Sequence, residues 1–205
     1  MEVLLLPLVN VTLFPRTTKP LNIFEPRYLD LVRDSVQNQK PIAIAFVEEA
    51  QAQKAPVVGE IFAGIRAIAG FGQAQIIEER SNGTLLVFVQ GLGKVKLGVV
   101  KDFQRGYVVC EAEPVLENQE LDESVKPKLD DLRKILTRWI HAHIPDPAQQ
   151  ELFLKNVSGP EEVVGAFSSY LVRDYDLQQM VLEFDNINEK VRFLFRLIES
   201  AEVTA

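Results

Sequence analysis

The sequence predicts an α+β protein, β-rich in its first part and helical in its second. Three observations predict it. Short runs rich in β-branched and aromatic residues recur through residues 1–115, punctuated by glycines. From about residue 120 the apolar residues switch to helical spacing. The charge changes at the same place: residues 1–115 hold 12 Lys+Arg against 12 Asp+Glu, whereas residues 116–205 hold 10 against 17 and carry the whole net charge of −7. Two units follow, 1–116 and 117–205, and 205 residues suffice to bury a core.

Seven runs read as strands: Val3–Leu8, Ile42–Val47, Glu60–Ala69, Gln73–Glu79, Thr84–Val89, Val95–Val100 and Tyr107–Glu113. Ser81-Asn82-Gly83-Thr84 is a hairpin signal, because Asn-Gly tolerates the positive φ of a tight turn. Gly70-Phe71-Gly72 reads as a second reversal and Gly91-Leu92-Gly93 as a bend or bulge. This pattern fits a curved sheet or small barrel, not a parallel doubly wound sheet. One helix interrupts it, opened by Pro26, with Tyr28, Leu29, Leu31, Val32 and Val36 on one side of Pro26–Asn38 and Pro41 ending it.

The helical unit opens with a seam: Val125, Leu129, Leu132, Leu136, Trp139 and His143 step by fours and threes, stopping before Pro145. Asp146-Pro147-Ala148-Gln149 reads as a cap, a first-position proline and a capping-box partner. Ser158-Gly159-Pro160-Glu161 restarts the chain, with Val163, Val164, Phe167, Tyr170 and Leu171 as the next stripe. A shorter helix follows from about Asp176 to Glu183. Asn186, with Glu189 three residues on, caps the last helix, which buries Ile187, Val191, Leu194, Phe195 and Ile198.

Chemistry is sparse. A phosphate loop needs Gly-x4-Gly-Lys-Ser/Thr; at Gly93-Lys94, Phe88 replaces the first glycine and Val95 the hydroxyl residue. Gly91-x-Gly93 lacks the third glycine of a dinucleotide fingerprint. Both histidines, His141 and His143, lie two apart on one helix end and point away from each other. A metal held by His141, His143 and Asp146 would require that end to fray, and a small hydrolase would need a pocket converging on His141 or His143. Glu48-Glu49, Glu78-Glu79, Asp130-Asp131 and Glu161-Glu162 are adjacent carboxylates, which face apart. Cys110 reads as a small buried hydrophobe on a strand, and a lone cysteine excludes an internal disulfide. No cofactor is expected. The start, Met1-Glu-Val-Leu-Leu-Leu-Pro7, has no basic segment and an apolar run too short for a membrane span, which makes the cytoplasm the default. Neither half is basic, which argues against nucleic acid, although Arg66, Lys94, Lys96, Lys101 and Arg105 could cluster.

The most specific text is the opening. Leu6-Pro7-Leu8, Leu13-Phe14-Pro15 and Pro20-Leu21-Asn22-Ile23-Phe24-Glu25-Pro26-Arg27-Tyr28 resemble the start of Lon protease N-terminal domains. Val58-Gly59-Glu60-Ile61, Asn82-Gly83-Thr84 with Val89-Gln90-Gly91-Leu92, and Gln179, Leu182-Glu183, Asp185 and Lys190-Val191 resemble later motifs of the same family, in the same order. Departures are Arg16, where the family often has glycine, and Lys94 and Lys190, where it usually has arginine. The resemblance implies a PUA-like β-barrel of six or seven strands followed by a helical bundle. It also implies a stand-alone, non-catalytic module without the ATPase and Ser–Lys peptidase of Lon proteases, binding unfolded or exposed apolar polypeptide segments. A separate Lon-type ATPase is the implied partner; RNA or small-ligand binding, as in other PUA-like barrels, is the alternative. Pro7, Pro15 and Pro20 shape the chain, Phe14 and Phe24 pack, and Glu25 and Arg27 form an internal ion pair. The candidate binding residues are Phe14, Arg16, Arg27, Tyr28 and Arg66, around the opening loop Pro15–Thr18 and the helix Pro26–Asn38 where they meet the barrel and bundle.

Overall fold

A computed structural model describes residues 1–47, 55–103 and 105–200. The chain divides into two compact units, Met1–Val115 and Leu116–Ala205. The first contains β1 (Glu2–Val9), β2 (Thr18–Ile23), α1 (Pro26–Asn38), β3 (Ile42–Val47), β4 (Ile68–Glu79), β5 (Leu85–Asp102) and β6 (Val108–Pro114).

The six strands form one sheet in the order β2-β5-β4-β3-β1-β6, and β6 returns to pair with β5, which closes a ring. β5 makes closure possible by its length. Its first half pairs with β2 (Thr18 opposite Gln90, Ile23 opposite Leu85) and its second half with β6 (Val95 opposite Pro114, Leu97 opposite Ala112). β1 and β3 are parallel, Leu4 opposite Ile42, joined through β2 and α1; the other pairings are antiparallel.

Both faces of β1 and β3 are covered, which explains their nearly unbroken apolar text. Leu4, Leu6, Ile42 and Ile44 pack in a cluster with Tyr28, Leu31 and Val32 of α1. Val3, Leu5, Ala43 and Ala45 point the other way, into a second cluster with Val95, Val100, Cys110 and Ala112. Each fully buried leucine or isoleucine in these clusters contributes roughly 1.5–3 kcal/mol.

The expectations for this half need several corrections. Among the described residues the seven runs become six strands, within the six or seven that the family resemblance implied. Thr84–Val89 and Val95–Val100 are one strand, because the Gly91-Leu92-Gly93 segment is a bulge that bends β5 without ending it: Phe71 lies opposite Gly93 and Gly72 opposite Gly91. Gly70-Phe71-Gly72 is not a reversal but the middle of β4. Glu60–Ala69 is mostly not strand; Ile61 and Ile65 make isolated bridges to Val99 and Val47, and β4 begins at Ile68. β2, unexpected from its Lys-Pro-Leu-Asn text, forms because it can flank the first half of β5. Phe24 does not pack: it is 71% exposed. The Asn82-Gly83 turn is as expected, with Gly83 at φ 81° and its N–H donating to the Arg80 carbonyl at 2.8 Å.

The second unit contains α2 (Lys126–His143), α3 (Pro147–Asn156), α4 (Pro160–Leu171), α5 (Tyr175–Glu183) and α6 (Ile187–Glu199). Asp146, Asp174 and Asn186 cap α3, α5 and α6, each side-chain oxygen accepting from a first-turn N–H. The seam of α2 departs from its expected line. After Leu136 the buried residue is Ile140. Trp139 is half-buried and His143 exposed, its ring stacked on Trp139 at 4.5 Å. Phe195 and Ile198 of α6 are likewise half-buried.

Candidate functional site

A concavity of about 600 Å³ lies in the first unit. Leu5, Pro7, Val47 and Val108 of the sheet form its base, Phe62 to Ile65 and Phe103 its sides, and Tyr107 a further wall. Arg27 and Tyr28, from the first turn of α1, complete the lining. Most of the described lining residues are aliphatic or aromatic, Arg27 is the cation among them, and polar atoms share the surface, a composition suited to a segment with apolar side chains and a polar backbone.

The local sequence places that cation. Pro26 starts α1, and Glu25 in front of it makes no side-chain cap bond. Its carboxylate turns to Arg27 instead: Nε and Nη2 donate to Glu25 Oε2 at 3.0 and 2.8 Å. The Arg27 guanidinium carbon sits 4.6 Å from the centre of the Tyr28 ring, a cation–π arrangement. Tyr28 itself is only 9% exposed. Burial pushes its phenol above the ordinary value, with Arg27 pulling the other way. Arg27 is therefore an ordered, charge-compensated donor beside an apolar recess.

Opposite α1, Gly106 adopts φ 82°, and a Cβ there would stand 3.5 Å from the Arg27 Cβ. Tyr107 follows; its phenol donates to Asp34 Oδ2, which also accepts from Arg105 Nη1 at 2.6 Å. Burial first, then the bond to Asp34, pushes the Tyr107 phenol up to about 12.

Of the residues singled out from sequence, Arg27 and Tyr28 share this cavity. Phe14 is 1% exposed, its side chain in the interior and its carbonyl accepting from Thr17 Oγ1 at 2.8 Å. Arg16 is exposed at φ 60°, with its N–H donating to the Gly91 carbonyl at 3.0 Å. Arg66 lies next to the cavity residue Ile65 in sequence, its N–H donating to the Phe46 carbonyl at 2.9 Å. Sequence reasoning did not find Phe62, Phe103 or Tyr107. They come from loops and strand starts with no periodicity to mark them, and aromatic type was their one available signal.

The other sequence candidates are placed as follows. His141 Nδ1 pairs with Gln150 Oε1 at 2.7 Å, whereas His143 Nδ1 donates to the Trp139 carbonyl at 2.9 Å, so the two imidazoles serve different partners. Among the described residues no group of three His, Cys, Asp or Glu side chains is placed to hold a metal ion, and no helix is long and apolar enough to cross a membrane. Glu161 and Glu162 occupy the first turn of α4, where the helix dipole favours them; Glu48 and Glu49 lie outside the described residues. Cys110 is 1% exposed and burial pushes its thiol up to about 11, which leaves it protonated at neutral pH. In the basic group, Lys101 pairs with Glu111 at 2.9 Å, Arg105 with Asp34, and Lys94 is 2% exposed.

Comparison with known proteins agrees with this architecture. Residues 2–200 match the family model described as the ATP-dependent protease La (LON) substrate-binding domain. The chain is 22% identical over 202 residues to the Lon protease of Escherichia coli (strain K12), covering 97% of this chain and 25% of that protein. It is 22% identical over 195 residues to the Lon protease of Buchnera aphidicola subsp. Acyrthosiphon pisum, covering 95% and 24%. The chain thus spans about a quarter of the length of these curated relatives. Among solved structures, the N-terminal domain of a Mycobacterium avium complex Lon protease superposes with a TM-score of 0.70 at 14% identity, covering 97% of this chain and 98% of that one. A Lon N-terminal domain protein from Xanthomonas campestris gives 0.66 at 18% identity, covering 96% and 98%.

Proposed function

The chain belongs to the ATP-dependent protease La (LON) substrate-binding domain family, and from that premise we propose that it is a non-catalytic cytoplasmic module that holds extended apolar segments of unfolded polypeptides. The observation that carries this reading is the cavity of about 600 Å³ lined by Leu5, Val47, Phe62, Phe103, Tyr28 and Tyr107. Burying one large apolar side chain of a client there is worth about 1.5–3 kcal/mol, and several weak contacts along one chain add up. Among the described lining residues the cation, Arg27, is compensated by Glu25, so binding through this recess depends little on salt. Phe103 of the lining is itself exposed, and exposed Val57 and Val58 directly follow the lining residue Pro56 in sequence. Arg27, with donors beyond those used by Glu25, is suited to a client's backbone carbonyls.

Binding to a reduced, carboxamidomethylated, permanently unfolded polypeptide at low and high salt tests this, beside a folded control and an RNA. Salt-tolerant binding of the unfolded chain alone supports it, and Arg27→Ala and Phe103→Ala then weaken binding. Salt-sensitive binding of RNA with none of the unfolded chain would sink it. A role as adaptor to a separate Lon-type protease extends the reading, and predicts faster degradation of the bound polypeptide when that protease and ATP are added.

A further inference from the structure

Asp34 does not line the main cavity, yet it is tied to two of its sides. It stands on α1 seven residues after Arg27, two helical turns, so both side chains leave the same face of the helix. Its carboxylate is 19% exposed and accepts from Tyr107 and Arg105 together. Tyr107 is 6% exposed, and it lines both the main cavity and a smaller one of about 300 Å³ that Asp34 also lines. One residue earlier, Gly106 packs against the Cβ of Arg27. The segment entering β6 therefore meets α1 twice, at Arg27 and at Asp34. The first contact is steric and fixes only separation. The second is directional and fixes where the ring points, because anchoring the phenol oxygen on a carboxylate pins the first side-chain torsion of the tyrosine, while packing sets the rotation about the ring's own axis.

We propose that Asp34 is a positioning residue of the polypeptide-binding cavity: by accepting from Tyr107 it holds that ring as a wall in register with Arg27 and Tyr28. The assignment rests on the polypeptide-binding reading above. Without the bond, packing alone sets the ring's direction, and its outer end is no longer pinned between the recess and the smaller cavity. The recess then loses its preformed shape, and a client must supply the ordering that Asp34 supplies now.

The test measures affinity for a reduced, carboxamidomethylated unfolded polypeptide by fluorescence anisotropy, in the unsubstituted protein and in Tyr107→Phe, Asp34→Ala and Asp34→Asn. Thermal unfolding and the ultraviolet titration of the phenols accompany it. Tyr107→Phe keeps the ring and its packing, so the fold is retained while the bond is lost. The expected result is about tenfold weaker binding for Tyr107→Phe and Asp34→Ala at a temperature where each is fully folded. Asp34→Asn, which keeps an acceptor, recovers affinity to within about threefold. In Asp34→Ala the high-titrating phenol returns toward the ordinary tyrosine range. Unchanged affinity in Tyr107→Phe and Asp34→Ala, with the phenol shifted, would overturn the assignment and leave the binding reading intact. So would losses that follow thermal stability alone, with Asp34→Asn as weak as Asp34→Ala. No binding by the unsubstituted protein would overturn both.

Discussion

Lys190 Nζ stands 2.6 Å from Glu117 Oε1, and both side chains are nearly inaccessible, at 3% and 5% exposed. Two charges removed from water are tolerated because each compensates the other. The pair also fastens the extended segment before α2 onto the start of α6. Asn118 N–H donates to the Asp185 carbonyl at 2.9 Å, Ile187 N–H to the Asn118 carbonyl at 3.0 Å, and Asn188 Nδ2 to the Glu120 carbonyl at 2.8 Å. Glu117→Ala removes this carboxylate from a buried ammonium and destabilises the helical unit by about 3–5 kcal/mol in urea unfolding. The double replacement Glu117→Leu with Lys190→Met recovers most of that loss, and failure to recover would assign the effect to packing instead of charge.

Glycines 70 and 83 separate two reasons for having no side chain. A Cβ on Gly70 would meet the Leu13 carbonyl oxygen at 1.9 Å, backbone against backbone. Gly83 has open space around it and a φ of 81°. Gly83→Ala therefore costs about 1 kcal/mol of left-handed strain, whereas Gly70→Ala displaces the Leu13–Phe14 segment and costs roughly 3 kcal/mol or more. Urea midpoints of the two variants decide it; equal losses would contradict the close approach.

That contrast shows where the sequence was readable. Asn82-Gly83 was legible because a tight turn imposes its requirement locally. Gly70 and Gly72 were misread as a reversal because their requirement is tertiary: the chain from Leu13 to Phe14 and the Gln90 carbonyl crowd them from positions distant in sequence. The helix Pro26–Asn38 and its buried Tyr28, Leu31 and Val32 followed from periodicity. On α2, periodicity chose Trp139 over Ile140, because an aromatic at the right spacing satisfies the pattern even when it remains half-buried and stacks on His143. The cavity was legible only at Arg27 and Tyr28. Tyr107 and Asp34 are 73 residues apart, and nothing short of the sheet closure brings them together.

Arg16 occupies a left-handed backbone position at φ 60°. An L-residue there costs about 1–2 kcal/mol, and glycine gives back about 0.4–1 kcal/mol through the greater freedom of the unfolded chain. Arg16→Gly thus raises stability by between roughly zero and about 1.6 kcal/mol. Arg16→Val, with a branched Cβ, is clearly less stable than Arg16→Gly in thermal unfolding. Equal behaviour of the two variants would show that the backbone relaxes.

Asp34 and Tyr107 make stability depend on pH at both ends. The Tyr107 phenol, and then Arg105, hold the Asp34 carboxyl below the usual carboxylate range. Its contribution is present above about pH 4, the unfolded value, and disappears as pH falls through the depressed folded value. Tyr107 is pushed up to about 12. Its contribution is complete below about pH 10 and is lost as pH rises toward the folded value. The stability difference between the unsubstituted protein and Tyr107→Phe is therefore flat through neutral pH and narrows at both extremes. A difference independent of pH from acid to alkali would contradict this.

β2 is the edge strand of the sheet, flanking β5 on one side. Gly91 N–H donates to the Thr17 carbonyl at 2.8 Å. In the antiparallel register this makes 17, 19, 21 and 23 the residues bonded to β5, and turns the backbone of Thr18, Pro20 and Asn22 away from it. Proline thus stands at the centre of the outward edge, where its missing N–H leaves a docking strand's carbonyl unsatisfied. Exposed Phe88, the register partner of Pro20, gives that edge apolar surface that would otherwise favour pairing with another chain. Pro20→Thr restores the donor and a β-branched side chain, with little cost to the β2–β5 ladder, because residue 20 makes no bond within it. The expected outcome is concentration-dependent self-association in sedimentation velocity, absent from the unsubstituted protein, with the thermal midpoint held or raised. A variant that remains as dispersed as the parent would show that the edge is protected by something other than its proline.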